Sequence, residues 1–152
     1  MKLTKNFTIE EFLVSQTAER YGIDMTPPPH VVENLRRLCE ACMQPLRDDV
    51  KAPIFVSSGY RPYELNRKIG GSTTSAHMIG NACDFVVTGM KPLDVARRCA
   101  LLNLPFDQVI HEFGRWVHLG VGDNLRGEEL TAYRDKGQAR YVHGLHPIED
   151  LV

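Results

Sequence analysis

Ser75-Ala76-His77-Met78-Ile79-Gly80-Asn81-Ala82-Cys83-Asp84-Phe85-Val86-Val87 runs from a histidine-bearing loop directly into an apolar segment that Thr88-Gly89 ends. Ala82 to Val87 reads as a buried strand. Gly80, just ahead of it, suits a chain that must turn sharply or approach another backbone closely. His77 therefore belongs to a loop and Asp84 to a rigid strand. A second histidine, His118, stands on a later apolar segment. A catalytic zinc takes three protein ligands from His, Asp, Glu and Cys and leaves a fourth position to water; His77, Asp84 and His118 supply such a set.

The elements around this stretch alternate between helix and strand. Thr8-Ile9-Glu10-Glu11 has the form of a capping box, flanked by Phe7 and Phe12 at the staple positions, and predicts a short first helix. Ser15, Gln16 and Thr17 interrupt the pattern, and a further turn or two ends at Tyr21-Gly22. Pro27-Pro28-Pro29 forms a stiff spacer. Beyond it, Val31, Val32, Leu35, Leu38, Cys39, Cys42, Met43 and Leu46 recur at helical spacing, and Pro45 is expected to kink or end that helix. Ile54 to Ser58 reads as a strand entered from Pro53, Gly59-Tyr60-Arg61-Pro62 as a loop, and Tyr63 to Ile69 as one or two helical turns. Pro92 opens another helix through Leu93, Ala96, Cys99, Ala100 and Leu102. Gln108–Phe113 and Trp116–Val121 form a hairpin around Gly114-Arg115. Beyond Gly122 no strong period remains.

With 152 residues, 43% of them apolar, the chain predicts one domain spanning 1–152 with a real core. A net charge of -1 with scattered charges marks neither a nucleic-acid nor an anionic-membrane surface. The first residues lack the apolar run of a secretory signal, and no stretch approaches a membrane span. The reading is a monomer made in the cytoplasm. Cys39, Cys42, Cys83 and Cys99 fall in apolar patterns and read as reduced core residues rather than a metal or redox pair.

The hairpin decides which side chains accompany His118, because residues paired across a ladder share a face. A two-residue turn at 114–115 pairs His111 with His118; a three-residue turn at 114–116 pairs Glu112 with it. The second is favoured, since three-residue loops with a left-handed glycine are common. It brings a carboxylate to the metal face, where it can take a proton from bound water.

Ser75-x-His77-x-x-Gly80-x-Ala82-x-Asp84, followed by Trp116-Val117-His118, resembles the signature of the LAS metallopeptidases. These are zinc D-alanyl-D-alanine carboxypeptidases, phage endolysin peptidases and the related hedgehog domain. Phe7-Thr8-x-x-Glu11-Phe12, Ser57-Ser58-Gly59-Tyr60-Arg61-Pro62, Leu65-Asn66 and Ile69-Gly70-Gly71 are similar to its phage and bacterial peptidase branch. The resemblance implies an α+β domain with helices on one side of an antiparallel sheet and zinc in a surface groove. It also implies that His77, Asp84 and His118 bind Zn2+, that Arg61 polarises the scissile carbonyl or holds a substrate carboxylate, and that Ser75 contacts substrate or braces its loop. Many carboxypeptidase members carry the catalytic acid three residues before the last histidine, where this chain has Arg115; Glu112 resembles the placement in hedgehog-like and some phage members. His30, His111, His143 and His146 lie outside these patterns and are assigned to structure or solvent.

The expected activity is hydrolysis of the stem peptides of bacterial peptidoglycan by a phage or prophage lysis enzyme that reaches the wall after release or on a virion. The alternatives are a D-alanyl-D-alanine carboxypeptidase and a non-catalytic zinc-containing virion or binding domain.

Overall fold

A computed structural model describes residues 1–152. The capping box forms: the Glu11 carboxylate accepts from the Thr8 backbone N–H at 2.7 Å and from its hydroxyl at 3.1 Å. The Phe7 and Phe12 rings stand 6.2 Å apart as the staple. They secure a single 3-10 turn, Ile9–Phe12, rather than an α-helix. Helix α1 (Gln16–Tyr21) follows, capped by Ser15 and closed by left-handed Gly22.

Pro45 does not end the main helix. Helix α2 (Pro29–Leu38) runs through a π turn at Cys39–Met43 into α3 (Gln44–Val50), with Pro45 in the first turn of α3. A proline removes one donor and crowds the carbonyl one turn back. The widened turn ahead of it shifts the bonding pattern, so the helix continues.

Strands β1 (Ile54–Ser58) and β2 (Ala82–Val87) and helices α4 (Tyr63–Ile69) and α5 (Pro92–Leu101) lie where sequence periodicity placed them. So do β3 (Gln108–Glu112) and β4 (Trp116–Gly120). Two strands that the sequence did not announce complete the sheet: β5 (Glu128–Asp135) and β6 (Gln138–His143), joined at left-handed Lys136 and Gly137. The order is β1-β2-β4-β3-β5-β6. Every pairing is antiparallel except β3 with β5, which departs from the expected all-antiparallel sheet. The cause is local. The chain leaves β4 beside the start of β3, where the Arg126 guanidinium grips Asp107 at 2.7 Å and Glu128 N–H donates to the Asp107 carbonyl at 2.9 Å. That contact starts β5 alongside β3 in the same direction.

Alternation along the strands gives the sheet two faces. Val56, Cys83, Phe85, Val109, Val117 and Leu119 join Leu35, Leu38, Met43 and Leu46 of the α2–α3 helix and Val95 and Cys99 of α5 in one core. All four cysteines are buried thiols, and burial raises those of Cys39, Cys42 and Cys99 to about 12. The opposite face carries Asp84, His118, Ile110 and Glu112.

The register corrects the hairpin. Ile110 lies opposite His118, His111 opposite Val117 and Glu112 opposite Trp116. The turn therefore occupies 113–115, not 114–116, with Phe113 and Gly114 both at positive φ and Arg115 N–H donating to the Glu112 carbonyl at 2.9 Å. Both expected partners of His118 are replaced by Ile110. The face survives the correction, because Glu112 is two residues from Ile110.

Candidate metal centre

Asp84 and His118 are direct neighbours on β2 and β4. The loop before β2 brings the third group. Ser75 Oγ accepts from His77 N–H at 3.2 Å and opens a 3-10 turn, Ala76–Ile79. Gly80 ends it at φ 77°, so close to α2 that a Cβ would stand 2.9 Å from the Val31 carbonyl oxygen. Only glycine meets both demands.

Three donor atoms converge. His77 Nε2 lies 3.2 Å from Asp84 Oδ1 and 3.2 Å from His118 Nδ1, and His118 Nδ1 lies 2.9 Å from Asp84 Oδ1. Zinc bonds of ~2.0–2.1 Å at tetrahedral angles set ligand atoms ~3.3 Å apart, so the spacing fits. His77 Nδ1 is 2.7 Å from the Gly59 carbonyl, a contact that needs the proton on Nδ1 and leaves the Nε2 lone pair facing the cluster. Two imidazoles and a carboxylate form a donor set suited to zinc. His77 is sealed in, whereas Asp84 and His118 keep some access to solvent, as an open coordination position requires.

The electrostatics match. Burial opposes the Asp84 charge, yet the two histidines together hold its carboxyl well below the usual range. Burial lowers His77 despite Asp84. At His118 burial also opposes the charge, but the hydrogen bond and charge of Asp84 prevail and raise it. A cation in the cluster would take the place of the proton these groups otherwise share.

Glu112 and Arg61 border the cluster. Burial, then the Asp84 charge, raises the Glu112 carboxyl to about 7, against the pull of His118, Trp116 and Arg61. The Trp116 indole N–H, directly across the ladder, is buried without a partner in hydrogen-bond geometry, yet lies near enough to favour the ionised Glu112. Arg61 donates its backbone N–H to the His77 carbonyl at 2.9 Å, and its Nη2 reaches Ser75 Oγ at 3.4 Å. Its Nε is buried and unpartnered. Ser75 thus touches both His77 and Arg61 and sits as a brace. Arg115, at the alternative acid position, is exposed at the hairpin tip.

The other histidines stay apart from the cluster. His111 Nδ1 contacts the His146 carbonyl at 3.0 Å, His146 Nε2 contacts the His143 carbonyl at 2.8 Å, and His30 is exposed. One neighbour escaped the sequence reading because its strand did. Tyr141 on β6 pairs with Ala132, which pairs with Glu112, so the phenol shares the Glu112 face. Burial, then the charges of Glu112 and Asp84, raises it. A turn signal at Lys136-Gly137 between alternating segments would have found the ribbon.

The family model for Peptidase M15 matches residues 5–120, which include His77, Asp84, His118, Arg61 and Glu112. No curated protein matches the chain.

Proposed function

The chain belongs to the Peptidase M15 family, and from that premise we propose that it is a zinc peptidase cutting the stem peptides of bacterial peptidoglycan. The observation that carries the reading is the convergence of His77 Nε2, Asp84 Oδ1 and His118 Nδ1, with Glu112, a carboxyl raised to about 7, on the same sheet face. Such a carboxyl is suited to proton transfer near neutral pH.

Zinc held by His77, Asp84 and His118 would supply Lewis acidity and a water acidified to a pKa of about 7. The chain's own residues do the rest. Glu112 takes the proton of the attacking water and returns it to the departing amine. Arg61 offers its guanidinium, whose Nε has no partner, to the carbonyl oxygen as it gains charge. Ser75 and the His77 carbonyl keep Arg61 in place.

Internal cleavage by a phage or prophage lysis enzyme is the preferred form, supported by the likeness to the phage peptidase branch. The unpartnered Arg61 Nε also supports D-alanyl-D-alanine carboxypeptidase activity, because a guanidinium fork matches a terminal carboxylate. Digestion of purified muropeptides, read by mass spectrometry, separates the two: internal fragments mean endopeptidase, and loss of one alanine means carboxypeptidase. Glu112→Gln is expected to keep zinc and lose about 10²–10⁴-fold in kcat. No product from zinc-loaded wild type would leave a binding domain.

A further inference from the structure

Beside the metal cluster lies a cleft of about 480 Å3. Its floor is the outer edge of β1, and Val14–Thr17 together with Leu65 and Ile69 of α4 enclose it. β1 ends the sheet, and no backbone group of residues 54–58 bonds outside it. Free edges invite pairing, and proteins usually blunt them with charge, proline or cover. Ile54-Phe55-Val56-Ser57-Ser58 carries no charge. Phe55 is 65% exposed, Val14 69% and Ile69 45%.

Two residues of the cleft lining, Ser58 and Arg61, adjoin the cluster. An irregularity between Val56 and Ser58 breaks the β1 register, so that Ser58 comes opposite the ligand Asp84. Arg61 also lines the cleft, and its buried Nε has no partner. The two charged lining residues are both engaged, Glu11 by Thr8 and Arg61 by Ser75. Resting on the peptidase reading above, we infer that this cleft is a substrate subsite. It takes the extended peptide on one side of the scissile bond as an added strand along β1, with uncharged side chains against Val14, Phe55 and Ile69. Main-chain pairing supplies general affinity for peptide, and the apolar walls exclude charged side chains. A second copy of this chain pairing along the same edge is the competing occupant, and the oligomeric state separates it from a peptide.

The test uses the full chain loaded with zinc, in the Glu112→Gln form, titrated with a stem pentapeptide and followed by amide NMR. Saturable shifts at Phe55 and Ser57 are expected, and Phe55→Lys should weaken binding about tenfold, the worth of one apolar side-chain contact, with zinc content and melting temperature unchanged. In the active form Phe55→Lys should raise KM by the same factor while kcat holds. Peptide that binds with shifts confined elsewhere, or a KM indifferent to both Phe55→Lys and Ile69→Lys, overturns the inference. So does a wild-type dimer that Phe55→Lys dissociates, or the absence of any binding. Peptide bound in the cleft but never cut by wild type would instead refute the peptidase reading and leave the subsite standing.

Discussion

The two faces of strands β2 and β4 are built from alternate residues of the same short segments, and they serve opposite ends. Cys83, Phe85, Val117 and Leu119 are fully buried against helices. Asp84 and His118, their immediate neighbours, join His77 from the preceding loop to crowd three titratable groups and a cluster of lone pairs onto the other side. The first face gains stability from apolar burial. The second costs stability, because buried carboxylates and close imidazole nitrogens are favourable only when a cation or proton lies between them. A rigid core face is what holds the costly face in position.

Substituting one residue from each face should separate these roles. Asp84→Ala removes a ligand and should lower kcat/KM by about 10⁴-fold or more, equivalent to ~5.5 kcal/mol of lost transition-state stabilisation. Metal analysis should show zinc lost at the same time; stoichiometric zinc in that variant would mean that the ligand set is wrong. Leu119→Ala, one residue from His118 but pointing into the core, should cost about 2–5 kcal/mol in denaturant unfolding. Zinc content and kcat per folded molecule should stay near wild type. If they fell as in Asp84→Ala, the two faces would not be separable.

The smallest effect tests the cost of the chemical face directly. The folded Glu112 carboxyl is raised to about 7 while the unfolded one ionises near 4.5. Below pH 4.5 both states hold the proton and there is no penalty. Between pH 4.5 and 7 the unfolded carboxyl ionises while the buried native one keeps its proton, so stability falls across that window and levels off above it. In protein stripped of metal with EDTA, Glu112→Gln should therefore be more stable than wild type by about 1–3 kcal/mol at pH 8, with no gain at pH 4. An equal gain at both values would show that Glu112 is strained by packing rather than by charge.

Much of the site was legible before any fold was known. The spacing of His77 and Asp84, the glycine between them and the apolar alternation of β2 and β4 are local properties, and local periodicity locates strands and their faces. The turn at 113–115 was misread by one residue. Phe113 takes a left-handed conformation that a turn more often assigns to glycine. The error moved the cross-strand partner of His118 to Ile110 but kept Glu112 on the right face, because face depends on parity and partner on register.

By itself the sequence determined which residues were candidates for the site, since donor atoms, glycines and strand parity are written residue by residue. It also determined the α+β class. Only the tertiary structure decided that the three donor atoms meet within hydrogen-bonding distance, that Glu112 is buried enough to titrate near neutrality, and that β1 is a free edge beside a cleft. It also placed β5 parallel to β3 and so set Tyr141 on the Glu112 face. Each of these depends on contacts between segments distant in the chain, such as Arg126 with Asp107 and His77 with Gly59. Such contacts leave no periodic trace, because their energy belongs to the pair and not to either segment.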